Sequence, residues 1–192
     1  VAVITGGASG IGRSTAIKFV ERGGRVVISD IQDDAGATLA RELGDKSVYM
    51  HADVTQEADI IAIVGEADRR WGRLDLMFNN AGAGGDPASV DTISAEGWDR
   101  TMDLLLRSAL LGIRHASTVM KRQGHGTIVS TSSSAARMPG LAATAYSVAK
   151  MGVLYLTKCA AFELAAYSIR VNCVCPGLIA TPLIGKAMGL GL

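Results

Sequence analysis

Long apolar runs are missing from this 192-residue chain, and so is an excess of charge of either sign. The longest apolar stretches are broken by Gly, Arg or Asp well short of the ~20 residues a membrane span needs, and no charged leader precedes one, so no membrane association is expected. Lys plus Arg number 19 and Asp plus Glu 18, without blocks of either sign, which leaves neither a nucleic acid nor an anionic surface as an expected partner. Three cysteines (Cys159, Cys173, Cys175) cannot build a disulfide framework and fit a reducing compartment, with cytoplasm as the expected location. His51, His115 and His125 are too scattered to gather a zinc ion, so no metal site is expected. Proline is scarce at 4 residues, and no internal repeat is found.

Glycine is plentiful, at 23 residues, and falls in short clusters between periodic segments, where it punctuates. With 48% hydrophobic residues, the chain can build one sizeable core over residues 1–192 and not comfortably two. Val1–Thr5, Arg25–Asp30, Ser47–Met50, Leu74–Asn79, Thr127–Thr131 and Ile169–Val174 read as strands. Between them lie helical patterns: one from Ile11 to Val20, one over Asp33–Leu43, one from Ile60 to Trp71, a long one over Ala95–Arg122 and an Ala-rich one over Ala145–Ala166. Strands separated by helices need right-handed crossovers. The expected fold is therefore α/β: a doubly wound parallel sheet (Rossmann fold) in three α/β/α layers, with its ligand beyond the C-terminal strand ends.

The first strand runs into Thr5-Gly6-Gly7-Ala8-Ser9-Gly10-Ile11-Gly12. Glycines there permit a tight turn, and the helix that follows aims unpaired N–H groups and partial positive charge outward, which makes an anion cradle. Eighteen positions after Gly12, Asp30 ends the second strand, where a carboxylate accepts from both hydroxyls of an adenosine ribose and repels a 2′-phosphate. That favours NAD over NADP, with Arg13 as the counterweight. Tyr146 and Lys150 stand four apart, one turn along a helix. A phenol with a pKa near ~10 becomes a base near neutrality if that value falls by ~2–3 units, about 3–4 kcal/mol, and a neighbouring ammonium acts in that direction. Taken singly, each feature has a plainer reading: a tight turn, a capping Asp30, a snorkelling lysine, and a hydroxyl run, Ser130 to Ser134, that merely finishes a strand.

Together these residues resemble the short-chain dehydrogenase/reductase family over essentially the whole chain. Thr5–Gly12 is similar to its T-G-x-x-x-G-I-G turn, Asn79-Asn80-Ala81-Gly82 to its N-N-A-G segment, Tyr146–Lys150 to its Y-x-x-x-K, and Pro176-Gly177 to its P-G turn. The resemblance implies a nicotinamide cofactor held by Gly6, Ser9, Gly10, Ile11, Gly12, Asp30 and Ile31. Asp53 and Val54 are implied at the adenine, and Asn80, Ala81, Gly82, Pro176, Gly177, Ile179 and Thr181 farther along, with Thr181 at the carboxamide. The family places a serine thirteen residues before the tyrosine, which selects Ser133. The implied catalytic set is Ser133, Tyr146 and Lys150: Tyr146 takes the hydroxyl proton of a small alcohol or gives one to the oxygen of the ketone, Ser133 bonds the same oxygen, and Lys150 binds the nicotinamide ribose.

Two departures from the family pattern stand out. Its catalytic asparagine, seven residues after Trp98, is Leu105 here. That asparagine is held to act largely through its main-chain carbonyl at a helix distortion, so an altered proton relay is expected. After Thr181-Pro182 the family pattern continues through a substrate-covering segment, a helix and a strand, whereas the sequence stops at Leu192, so a short lid and a sheet without that last strand are expected. Leu104, Leu110 and Leu111 make a second apolar face on the long helix. A two-fold partner is expected there, giving a homodimer or homotetramer through helices 95–122 and 145–166. The leading expectation is an NAD-dependent dehydrogenase or reductase. A silent dinucleotide-binding sensor or scaffold is the alternative, and a sugar-nucleotide epimerase fits poorly.

Overall fold

The computed structural model describes residues 1–189. Six parallel strands form one sheet in the order β3-β2-β1-β4-β5-β6: β1 Ala2–Thr5, β2 Val26–Asp30, β3 Ser47–His51, β4 Leu76–Asn79, β5 Gly126–Thr131 and β6 Ile169–Val174. β1 and β2 are buried at every position, so their side chains alternate between two cores and read in sequence as unbroken apolar runs. Ala2, Ile4, Val26, Ile28 and Phe78 meet α1 (Gly10–Glu21) and α2 (Asp33–Leu43) through Ala16 and Leu39. Val3, Val27, Met77 and Ile128 meet α3 (Glu57–Trp71), α5 (Ser108–Gln123) and α6 (Thr144–Leu164). The expected doubly wound sheet in three layers is the observed one. Strand order reverses beside β1, between β2 and β4, and the crevice opens at the C-terminal ends of these strands.

The expected long helix is interrupted. α4 (Ala95–Met102) passes through a π-helical turn over Asp103–Arg107, closed by the Ser108 N–H donating to the Asp103 carbonyl, before α5 begins. A π turn inserts one residue into the helical register and rotates every later side chain by about 100°. Leu111, expected on a wet face, is consequently buried, and Leu104 packs against the same core, leaving only Leu110 of that trio exposed. Beyond Thr181, where sequence periodicity predicted no element, Pro182–Met188 forms α7, with proline in its first turn. Among the described residues, no helix is long and apolar enough to cross a membrane.

Candidate active site

A cleft of about 320 Å³ lies across the strand ends. Its floor is the first βα turn, where Gly6 (φ 62°) and Gly10 (φ 52°) adopt left-handed backbone that a side chain resists. A Cβ on Gly6 would stand 2.8 Å from the Ala81 Cα, so the turn closes only with glycine there. The N-cap of α1, Ser9, makes no side-chain capping bond, which leaves the first-turn N–H groups directed outward beside the cleft. Such a turn suits an anionic group, and the residues present fit a dinucleotide.

Asp30 and Asn80 set the geometry around that floor. The buried Asp30 carboxylate accepts from the Ala8 N–H at 3.0 Å, tying it to the glycine turn, and from the Gln32 N–H at 3.1 Å. Ile31, Gln32, Asp53 and Val54 continue the wall. Asp53 also accepts from the Thr55 N–H at 2.9 Å and hydroxyl at 2.8 Å, shaping the turn that leads to α3. Arg13, the basic counterweight, is directed to Glu42 at 3.2 Å and does not line the cleft. Asn80 joins three strand ends: its amide donates to the carbonyls of Thr5 and Gly6 at 3.1 and 3.3 Å, and its carbonyl accepts from the Thr131 hydroxyl at 3.2 Å.

At the far end, Tyr146 and Lys150 share the cleft wall one turn apart near the start of α6. The Lys150 ammonium is 5.7 Å from the Tyr146 ring centre and donates to the Thr131 carbonyl at 2.7 Å. With only 4% of its surface exposed, burial pulls its pKa from 10.5 down to about 8. Ser133 is buried and does not reach the cleft wall; its oxygen accepts from the Ala135 N–H at 3.1 Å. Among the described residues that hydroxyl has no acceptor for its own proton.

Not every expected cofactor residue lines the cleft. Gly12 is buried inside α1, where a Cβ would collide with the Gly6 carbonyl, so its part is to let helix and turn pack. Pro176, Gly177 and Ile179 lie off the wall, and the Pro176 carbonyl instead accepts from the Ser134 N–H at 2.9 Å. Thr181, with Pro182 and Leu183, does reach it and crosses close over Gly10. Sequence reasoning missed Gln32, Ala52, Leu104, Pro182 and Leu183 as lining residues. None carries a motif; position in the fold alone brings them in.

Leu105 sits in the π turn, 2% exposed, against Gly82. The Ser108 hydroxyl donates to the Leu104 carbonyl at 2.5 Å, and a second void of about 10 Å³, near the size of one water, lies between Leu105, Asn79, Ser108 and Lys150. The helix distortion expected at this position is present with leucine in it.

Comparison with known proteins agrees with this fold. The family model described as short chain dehydrogenase matches residues 1–188. Momilactone A synthase of Oryza sativa subsp. japonica is 48% identical over 192 residues, covering 99% of this chain and 70% of that protein. Tropinone reductase-like 1 of Erythroxylum coca is 48% identical over 183 residues, covering 93% and 67%. The structure of 3-ketoacyl-(acyl-carrier-protein) reductase from Brucella melitensis complexed with NADH superposes with a TM-score of 0.90 at 33% identity, covering 95% of this chain and 77% of that one.

Proposed function

Because the chain belongs to the short-chain dehydrogenase family of oxidoreductases, which use nicotinamide cofactors, we propose that it transfers hydride between NAD and a secondary alcohol or ketone. The observation that carries this reading is the placement of Tyr146 and Lys150 on the wall of the same cleft whose floor is the glycine turn. The cofactor, when bound, supplies the hydride chemistry. Tyr146 exchanges the hydroxyl proton with the substrate oxygen, with the Lys150 ammonium 5.7 Å from its ring centre. The bond from Ser133 to that oxygen rests on the family pattern alone, because Ser133 lies off the cleft wall with its oxygen accepting from the Ala135 N–H. In this reading Lys150 also binds the ribose next to the nicotinamide. Asp30 favours NAD, because among the described residues that line the cleft Lys150 is the sole cation and lies at the opposite end from a 2′-phosphate.

A small or medium apolar substrate suits Leu104 and Leu183, the apolar side chains that line the cleft near its Tyr146 wall and its α7 edge. A second copy of the chain is proposed to cover α6, where Val148, Met151, Tyr155 and Phe162 are exposed at helical spacing.

An absorbance assay at the reduced-nicotinamide band, over a panel of secondary alcohols and ketones with NAD and NADP in parallel, tests the reading. Turnover with NAD preferred is the expected result. Binding without turnover for every substrate assigns the chain instead to a dinucleotide-binding sensor.

A further inference from the structure

Behind the Asp30 end of the cleft, two side chains that do not line it converge on one carboxylate, that of Asp33. The Tyr49 hydroxyl lies 2.6 Å from Asp33 Oδ1 and 2.8 Å from the Asp30 carbonyl oxygen, so a single O–H is shared between two acceptors. His51 Nδ1 reaches the same Asp33 oxygen at 2.8 Å. Asp30 is the last residue of β2 and Asp33 the first of α2, so the two acceptors are the two ends of the turn 30–33. The middle of that turn, Ile31 and Gln32, lines the cleft, and the α2 N-cap, Gln32, makes no capping bond of its own.

Tyr49 is held in place independently of this bridge. Parallel pairing sets it opposite Ile28, and its ring lies against Gly36, where any Cβ would strike it. Burial and the Asp33 charge push the phenol far above its ordinary value, so it stays protonated and remains a donor.

We propose that Tyr49 is a positioning residue for cofactor selection: its hydroxyl staples the two ends of the turn 30–33 and thereby fixes the Asp30 carboxylate that discriminates NAD from NADP. The inference rests on the reading that the cleft takes NAD. Removing the hydroxyl need not unfold the chain, since the Asp30 carbonyl still accepts the Ala52 N–H at 3.0 Å and Asp33 still holds His51.

The test is Tyr49→Phe, titrated with NADH and NADPH by fluorescence, with backbone amide exchange read at Gln32 and Asp33. The Kd for NADH is expected to rise about three- to tenfold, the range one net hydrogen bond supplies, with a smaller change for NADPH. Exchange at the turn accelerates, and KM for NAD rises while kcat at saturation holds. Asp33→Ala cuts the other end of the staple and narrows the same ratio. A folded Tyr49→Phe with an unchanged Kd ratio and unchanged exchange overturns the proposal, as does an equal loss for both nucleotides accompanied by a lower Tm, the mark of a merely structural role. If the wild type binds neither nucleotide, the cofactor reading fails and takes this inference with it; wild-type binding beside an unaffected variant sinks the staple alone.

Discussion

Lys150 stands where stability and chemistry pull apart. Burial lowers its pKa from 10.5 to about 8, so between those values the unfolded chain binds more protons than the native one. Stability contributed at this residue therefore rises with pH across that window, and the full penalty, about 3 kcal/mol at ~1.4 kcal/mol per unit, stands below it. Lys150→Met should remove that rise when unfolding free energy is measured by urea titration between pH 7 and 10.5, while abolishing turnover. A pH dependence identical in wild type and variant would show that the ammonium is not desolvated. Tyr146→Phe is expected to lower kcat by about 10²–10⁴-fold, the range of a lost general acid or base, with NADH affinity nearly kept. Steady-state kinetics paired with fluorescence titration separates the two effects.

Among the elements, the π turn over Asp103–Arg107 matters most to the site. It holds Leu105 against Gly82 and leads into Ser108, which shares the small void with Asn79 of β4 and Lys150. Leu105→Ala should cost about 2–4 kcal/mol, as for other large-to-small substitutions in a packed core, measurable as a lower urea midpoint at unchanged slope. Leu105→Asn puts an amide beside that void and should change the pH profile of kcat. A superimposable profile would remove position 105 from the proton relay. The turn also marks a limit of sequence reading. The apolar spacing over Ala95–Arg122 is continuous with a helix, and π turns carry no period of their own, so the distortion was implied only by the family resemblance and the register shift that buries Leu111 was not legible in the residues. α2 and β6, by contrast, have the boundaries their apolar patterns and flanking residues announce.

For the molecule as a whole, one face of α6 leaves a line of large apolar side chains open. Phe162 is 87% exposed and Tyr155 66%, in line with Met151 and Val148 on one helix face. Sedimentation at micromolar concentration is expected to show a dimer or tetramer, and Tyr155→Arg with Phe162→Glu to shift it toward monomer. Monomer alone in the wild type would contradict the proposed second copy.

Sequence by itself determined the chemistry that depends on near neighbours in the chain. The glycine turn, the one-turn spacing of Tyr146 and Lys150, and Asp30 at a strand end are local patterns, and backbone geometry converts each into a defined arrangement without outside help. Alternating strands and helices likewise left few topologies other than the parallel sheet that formed. Tertiary structure alone decided which of those residues share a wall. It drew in Leu183, set Gly12 and Pro176 aside, directed Arg13 to Glu42, and brought Tyr49 and His51 from the next strand onto Asp33. These meetings depend on strand register and helix rotation, which arise from packing between segments far apart in the chain and leave no periodic trace within any one of them.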